Sequence, residues 1–331
     1  MDPVRIGCLG AARIAPAALF RPAAATGVAV VSAIAARDRS RAEAMAGKHG
    51  IARVHDSYEA LVSDPELDAV YIPLPNALHG HWSIAALQAG KHVLCEKPFT
   101  ANAEEAAAVA SAASASGLVV MEAFHWRYHP LAARLLEIIG SGELGEVRRI
   151  EAALCFPLPK RTDIRWQLEL GGGSLMDAGC YAVHIVRTLA GAEPTVAGTE
   201  VRLRAVEMDR WIRAELAFDD GRTARVTAGM WSGAVLRVGA RVTGDRGSMR
   251  VLNPIAPHTF NLVTVKTGGR TRRERVRGDD TTYGYQLRAF AAAVQGDGDV
   301  LTPPSDSVAN MAVIDAIYTD AGLHPRQPAP I

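Results

Sequence analysis

The sequence predicts a mixed α/β protein in two parts: an N-terminal doubly wound parallel sheet, then an α/β domain built on a largely antiparallel, open sheet. Three observations carry this. Residues 4 to 124 alternate short, continuously apolar runs with Ala-rich segments of helical period. Beyond about residue 125 the runs show partial two-residue alternation, and they are separated by the Gly-bearing turns "FDDGR", "GDRGS" and "TGGRT". Continuously apolar strands between helices are what a parallel sheet covered on both faces requires, whereas alternating runs joined by tight Gly turns are hairpins. At 331 residues and 49% hydrophobic content the chain is long enough for two cores, and we divide it into 1–124 and 125–331.

The elements follow in order. "VRIGCLG" is the first strand and "APAALFRPAAATG" the first helix; "VAVVSAIAAR", "DAVYIPL", "HVLCE" and "LVVMEAF" are further strands, with helical "SRAEAMAGKHG", "HWSIAALQAG" and "EEAAAVASAASASG" between them. Helical segments near 131–139 and 174–190 precede the hairpins, and "YGYQLRAFAAAVQG" and "SDSVANMAVIDAIYTDAG" close the fold, the latter with Ser305 as N-cap. The tail "HPRQPAP" reads as extended surface.

Bulk composition narrows the partner. Lys plus Arg number 36 against 35 Asp plus Glu, a net charge of +1, which makes no general field for nucleic acid or an anionic membrane. The basic run at 266–278 has no interleaved aromatic for base stacking and reads as solvated strand faces. Cys8, Cys95, Cys155 and Cys180 form no CxxC pair and read as reduced core residues. No apolar stretch reaches membrane-spanning length, and the N-terminus enters a strand directly. The expectation is a soluble, cytoplasmic protein with a small-molecule partner.

In "IGCLGAARIAP" a strand gives way to a helix at the first turn of the first βαβ unit, the context in which a Gly-rich turn reads as a dinucleotide site. Set on G-x-G-x-x-G, the turn is Gly10, Ala11, Ala12, Arg13, Ile14, Ala15. Two glycines are alanines, small enough for the backbone still to approach a pyrophosphate and for the helix to pack on the strand; such a turn also joins strand to helix in folds that bind no dinucleotide. At the end of the second strand, where an NAD site places an acid for the ribose 2′-OH, stand Ala35 and Ala36, then Arg37, with Arg41 a helical turn on. Asp38 reads as the N-cap of the following helix. The lean is towards NADP, with NAD as the alternative.

Ligands of open α/β sheets bind beyond the carboxyl ends of the strands, where Glu96-Lys97-Pro98 is expected. In "GGGSLMDAGCYAVHIVRTLAG" a helix after three glycines puts Asp177, Tyr181 and His184 at i, i+4 and i+7, on one face. Each feature alone is also explained by solvation or core packing. His125 and His129 at i, i+4, three residues past Glu122, have a metal-like spacing, but Pro130 follows at once, so no metal site is assigned.

"GCLGAARIAP", "YIPLPNALH", "AGKHVLCEKPF", "EAFHWRYHP" and "GGGSLMDAGCYAVH", in this order and at these separations, resemble the glucose-fructose oxidoreductase, inositol dehydrogenase and rhizopine-catabolism family (Gfo/Idh/MocA). The resemblance covers residues 4 to about 190 in motifs and to about 320 in layout. It implies a Rossmann domain followed by an α/β domain whose open sheet makes a homodimer or homotetramer, with NAD(P) and substrate in the cleft between domains. By resemblance Lys97 is catalytic, at the reacting oxygen, and Pro98 follows a cis bond. Asp177 matches the substrate-binding acid, and Tyr181 a position that is His or Tyr within the family. Pro75, Asn76, His79 and Glu96 match positions lining the nicotinamide side. The "GAARIAP" loop and the Tyr variant are most similar to the dihydrodiol and D-xylose dehydrogenase-like branch.

The expected chemistry is reversible hydride transfer between the nicotinamide and a carbinol carbon of a sugar, polyol or cyclic diol. Tyr181 exchanges the hydroxyl proton, its ionised form favoured near the Lys97 charge, and Lys97 stabilises charge developing on that oxygen. His184 holds neighbouring hydroxyls, and Arg127 and Trp126 line the substrate pocket, unless Trp126 only packs. The alternatives are glycoside hydrolysis through transient oxidation on a retained nucleotide, or a silent binding protein.

Overall fold

The computed structural model describes residues 2–233 and 236–330. The chain divides into two compact units, Met1–Tyr128 with Asp280–Val308, and His129–Asp279 with Ala309–Ile331. The segment 280–308 therefore belongs with the N-terminal sheet, which differs from a single division after residue 124. The reason is packing: Leu287, Phe290 and Ala291 of helix Thr282–Val294 are buried in the same core as Ile6, Cys8, Leu19 and Tyr71.

In the first unit, strands β1 (Val4–Leu9), β2 (Ala29–Ala35), β3 (Arg53–His55), β4 (Ala69–Ile72), β5 (His92–Cys95) and β6 (Val120–Glu122) form one sheet in the order β3-β2-β1-β4-β5-β6. Every pairing is parallel. The interior strands read as continuous apolar runs because both faces are covered; β4 is buried at all four positions. Asp38 caps helix Arg39–His49 by accepting from the Ser40 N–H, and Asn102 does the same for Ala103–Ser116 through the Glu105 N–H. Strand order reverses between β1 and β4, the switch point at which such sheets bind ligands.

In the second unit, β7 (Val147–Cys155), β8 (Thr195–Ala205), β9 (Met208–Ala217), β10 (Thr223–Gly229), β11 (Arg237–Gly244), β12 (Gly247–Leu252), β13 (Leu262–Thr267) and β14 (Arg270–Glu274) make an eight-stranded sheet, ordered β14-β13-β12-β11-β7-β10-β9-β8. Among the described residues of this sheet only β7 and β10 pair in parallel. The three Gly-bearing turns fall at the β9–β10, β11–β12 and β13–β14 connections. Arg270, Thr271, Arg272 and Arg273 of the basic run are exposed, and Arg272 chelates Glu143 through two hydrogen bonds of 3.0 Å.

Two local expectations are corrected. The last helix, Pro304–Asp320, starts with proline at its first position, whose missing N–H would be unpaired there anyway, so Ser305 lies inside the first turn instead of capping it. The tail is not all surface: Arg326 is 2% exposed. Among the described residues no helix is long and apolar enough to cross a membrane, and all four cysteines are buried thiols with no disulfide between them.

Candidate active site

The first unit gathers its predicted residues at the carboxyl ends of adjacent strands. Gly10 ends β1 with φ +107°, a backbone that a side chain rarely adopts, and its N–H donates to the Ala35 carbonyl at 2.7 Å, tying the loop to the end of β2. Ala12 is half-buried, and Arg13 and Ile14 are exposed, Ile14 at 38%. Arg37 and Arg41 are exposed beside it. Arg41 Nη2 donates to the Ala11 carbonyl at 3.0 Å, so this guanidinium braces the loop from the next helix. Asp38 is engaged in its cap, and no carboxylate stands at Ala35 or Ala36.

Pro75 and Asn76 follow β4 and are half-buried, and Asn76 opens a short 3-10 turn. His79, one residue past that turn, is fully buried. Its Nδ1 lies 2.8 Å from the Pro98 carbonyl and its Nε2 2.8 Å from the Leu74 carbonyl. Burial outweighs both acceptors and pushes its pKa down to about 4. Both ring nitrogens thus lie against protein between the end of β4 and the end of β5, and the neutral ring donates to one of the two carbonyls. The Lys97–Pro98 bond between these anchors is cis, and Lys97 is half-buried.

Glu96 is likewise turned inward. It is buried and accepts from the Tyr71 hydroxyl at 2.7 Å. Burial and the Glu96 charge raise the hydroxyls of Tyr71 and of Tyr283, on the returning helix, above the ordinary range. Trp126 is fully buried. Arg127 is half-buried; burial lowers its pKa, against the charge of Asp306. His125 Nδ1 meets Thr282 Oγ1 at 2.8 Å, while His129 starts the next helix by accepting from the Leu131 N–H, so the pair shares no helix face. Among the described residues no group of three or more His, Cys, Asp or Glu is placed to hold a metal.

In the second unit Asp177, Tyr181 and His184 do not lie on one regular α-helix. Leu175–Gly179 is a π turn, closed by the Cys180 N–H on the Leu175 carbonyl, and the α-helix runs Cys180–Ala190. Such a bulge changes the angular step between Asp177 and Tyr181, and π turns often accompany functional sites. Tyr181 and His184 are buried and Asp177 is half-buried.

Sequence reasoning passed over Arg165. Its Nε lies 3.0 Å from Asp177 Oδ1 and its Nη1 3.2 Å from Asp163 Oδ1, and the Asp177 charge raises its pKa against burial. The arrangement holds a carboxylate, which accepts from hydroxyls, in place one turn ahead of the helix that carries the Tyr181 phenol and the His184 imidazole. The backbone reinforces the pairing, since the Gly173 N–H donates to the Arg165 carbonyl at 3.0 Å.

Comparisons with known proteins agree on one lineage. Residues 4–124 match the family model "Oxidoreductase family, NAD-binding Rossmann fold", and residues 132–250 match "GFO/IDH/MocA C-terminal domain". The chain is 39% identical over 316 residues to D-xylose 1-dehydrogenase (NADP(+)) 2 of Haloferax volcanii, covering 95% of this chain and 96% of that one. It is 33% identical over 231 residues to mouse trans-1,2-dihydrobenzene-1,2-diol dehydrogenase, 69% of this chain and 68% of the relative. Among solved structures it is similar to KijD10, a 3-ketoreductase from Actinomadura kijaniata in complex with NADP and TDP-benzene. That match has a TM-score of 0.90 at 30% identity, over 96% of this chain and 98% of that one.

Proposed function

The chain belongs to the GFO/IDH/MocA oxidoreductase family, and from that premise we propose that it is an NADP(H)-dependent oxidoreductase acting on a carbinol or carbonyl carbon of a sugar, polyol or cyclic trans-diol. The observation that carries this reading is the delivery of Lys97 at the carboxyl end of β5, in a cis turn clamped by His79, one strand from the switch point where the Gly10 loop opens.

The residues present fit the nucleotide. The Gly10 loop ends a strand and opens a helix, with only Ala12 where a larger side chain would obstruct a pyrophosphate and only the buried Ala15 where the helix packs on the strand. Arg37 and Arg41 are cationic and exposed, and Ala35 and Ala36 leave no acid to repel a 2′-phosphate. The NADP-linked relatives support the same choice. Arg13 and Ile14 flank the loop, and Pro75 and Asn76 serve the nicotinamide end. When bound, the nicotinamide donates or accepts the hydride.

The chain's own groups handle the proton and the developing charge. Lys97 hydrogen-bonds the reacting oxygen and stabilises negative charge where it appears. Tyr181 exchanges that oxygen's proton. Asp177, braced by Arg165, accepts from a neighbouring hydroxyl, and His184 and Arg127 shape the rest of the polar contact. His79 and Glu96 act through the protein, holding the ends of β4 and β5. We assign the protein to the cytoplasm, where buried thiols stay reduced, and assign to the eight-stranded sheet a homodimer or homotetramer contact that light scattering tests.

The deciding assay follows nicotinamide absorbance over aldoses, keto-sugars, inositols and dihydrodiols, with Lys97→Ala as control. NADP-linked turnover of at least one member, lost in Lys97→Ala while NADPH still binds, is the expected result. Turnover unchanged by Lys97→Ala would remove the proposed role of that residue.

A further inference from the structure

We infer that a buried Asp209–Arg326–Tyr318 cluster in the second unit sets the position of the turn that carries Asp177 and leads into Tyr181, which makes the C-terminal segment part of the catalytic support. This rests on the function proposed above.

All three side chains are buried, as is Ser174. Asp209 comes from β9, Tyr318 from the last helix and Arg326 from the tail. Asp209 Oδ1 accepts from the Tyr318 hydroxyl and from Arg326 Nη2, each at 2.9 Å. Its Oδ2 accepts from Ser174 Oγ at 2.6 Å and from the Leu175 N–H at 2.8 Å. Arg326 Nε donates to the Gly172 carbonyl at 2.7 Å, and Nη1 to the His324 carbonyl at 3.2 Å. The guanidinium also lies over the Tyr318 ring, 4.1 Å from its centroid.

Both ends of the Gly172–Leu175 stretch are therefore held from outside it. Ser174 makes no side-chain cap of its own, so the open N–H of Leu175 at the start of the π turn is satisfied by a carboxylate from a distant strand. Gly173 sits between the anchors at φ +133°; a Cβ there would lie 2.2 Å from Asp209 Oδ1 and 2.8 Å from the Tyr318 hydroxyl. The Asp177 N–H donates to the Gly173 carbonyl at 3.1 Å, so a displacement of Gly173 is passed directly to Asp177. An apolar core of the same volume would hold the fold as well, since buried ion pairs are seldom the most stable filling. What a satisfied charged network adds is one fixed geometry. Asp209, Arg326 and Tyr318 are accordingly positioning residues, one step removed from substrate.

The test measures kcat and KM for the active sugar or diol, and the Kd of NADPH by fluorescence, on Arg326→Met, Arg326→Ala and Tyr318→Phe. Arg326→Met should lose about 10- to 100-fold in kcat/KM while the Kd of NADPH stays within about twofold. Guanidinium ion, below denaturing concentration, should restore part of the Arg326→Ala activity, which general destabilisation would not permit. Tyr318→Phe removes a single donor and keeps the ion pair; it carries the test if the Arg326 variants fail to fold, with a kcat lowered several-fold. Wild-type kcat and KM in folded Arg326→Met, or in Tyr318→Phe when the Arg326 variants do not fold, overturns the inference, as does a loss that tracks NADPH affinity. A wild-type protein without nicotinamide-linked turnover would instead overturn the function, and this inference with it.

Discussion

Arg165 and Asp177 face each other at 3.0 Å, Nε to Oδ1, and Asp163 holds the other side of the same guanidinium at 3.2 Å. The acid proposed to receive a substrate hydroxyl is therefore not a mobile side chain on a helix but one half of a braced pair. Removing the brace should act on substrate before it acts on nucleotide.

Arg165→Ala removes the guanidinium that holds the half-buried Asp177. We expect kcat/KM for substrate to fall by about 10-fold or more, as when one member of a charged hydrogen bond is deleted, with NADPH affinity unchanged. Steady-state kinetics beside a nucleotide titration checks this; equal losses in both would mean that Arg165 merely supports the fold.

Cofactor choice turns on the end of β2. Arg37 is exposed and Arg41 is partly committed to the Ala11 carbonyl, so Arg37 is the cleaner probe. Arg37→Ala should weaken NADP by about 10-fold, the scale of one charge-assisted contact to phosphate, and leave NAD binding where it was. Parallel titrations decide it, and an equal loss for both nucleotides would count against a 2′-phosphate contact.

His79 gives the acid limb of stability. Its pKa is about 4 in the folded chain against an ordinary 6.5, so the unfolded state binds the proton first. Stability is fully present above about pH 6.5 and falls as pH drops towards 4, by about 2 kcal/mol from pH 7 to pH 5. His79→Gln, which keeps a donor, should be less stable at pH 7 and should show a shallower loss between those two pH values in urea melts. A pH dependence identical to wild type would mean that other groups carry it.

Gly173→Ala places a Cβ 2.2 Å from Asp209 Oδ1 on a backbone at φ +133°. The strain should lower unfolding free energy by about 1–3 kcal/mol, read from denaturant midpoints. A neutral outcome would show that the turn relaxes freely, against a rigid cluster.

Much of the layout is legible in the chain because burial writes it there. The interior parallel strands, covered on both faces, appear as unbroken apolar runs, and β9 to β14 are marked by Gly turns that only a few residue types satisfy. What is not legible depends on partners far away in sequence. The period of 174–190 is helical whether its first turn is α or π, since five residues do not separate the two. Helix Thr282–Val294 has an apolar face, but nothing in that face says that Ile6 and Tyr71 are its neighbours. His79 and Glu96 sit in motif positions, and nothing near them in sequence says that the Leu74 and Pro98 carbonyls and the Tyr71 hydroxyl lie against them. Arg326, in a proline-bearing tail, is buried against Asp209, the Gly172 carbonyl and the Tyr318 ring, all distant in sequence or on another element.

The most direct test follows the hydride itself. The substrate found active in the nicotinamide panel, deuterated at its carbinol carbon, is incubated with stoichiometric NADP and the protein, and the nicotinamide ring is examined by NMR. Deuterium in the reduced nicotinamide, matching product formed in wild type and absent in Lys97→Ala, is the predicted result. Product formed without label reaching the nicotinamide would contradict the oxidoreductase reading.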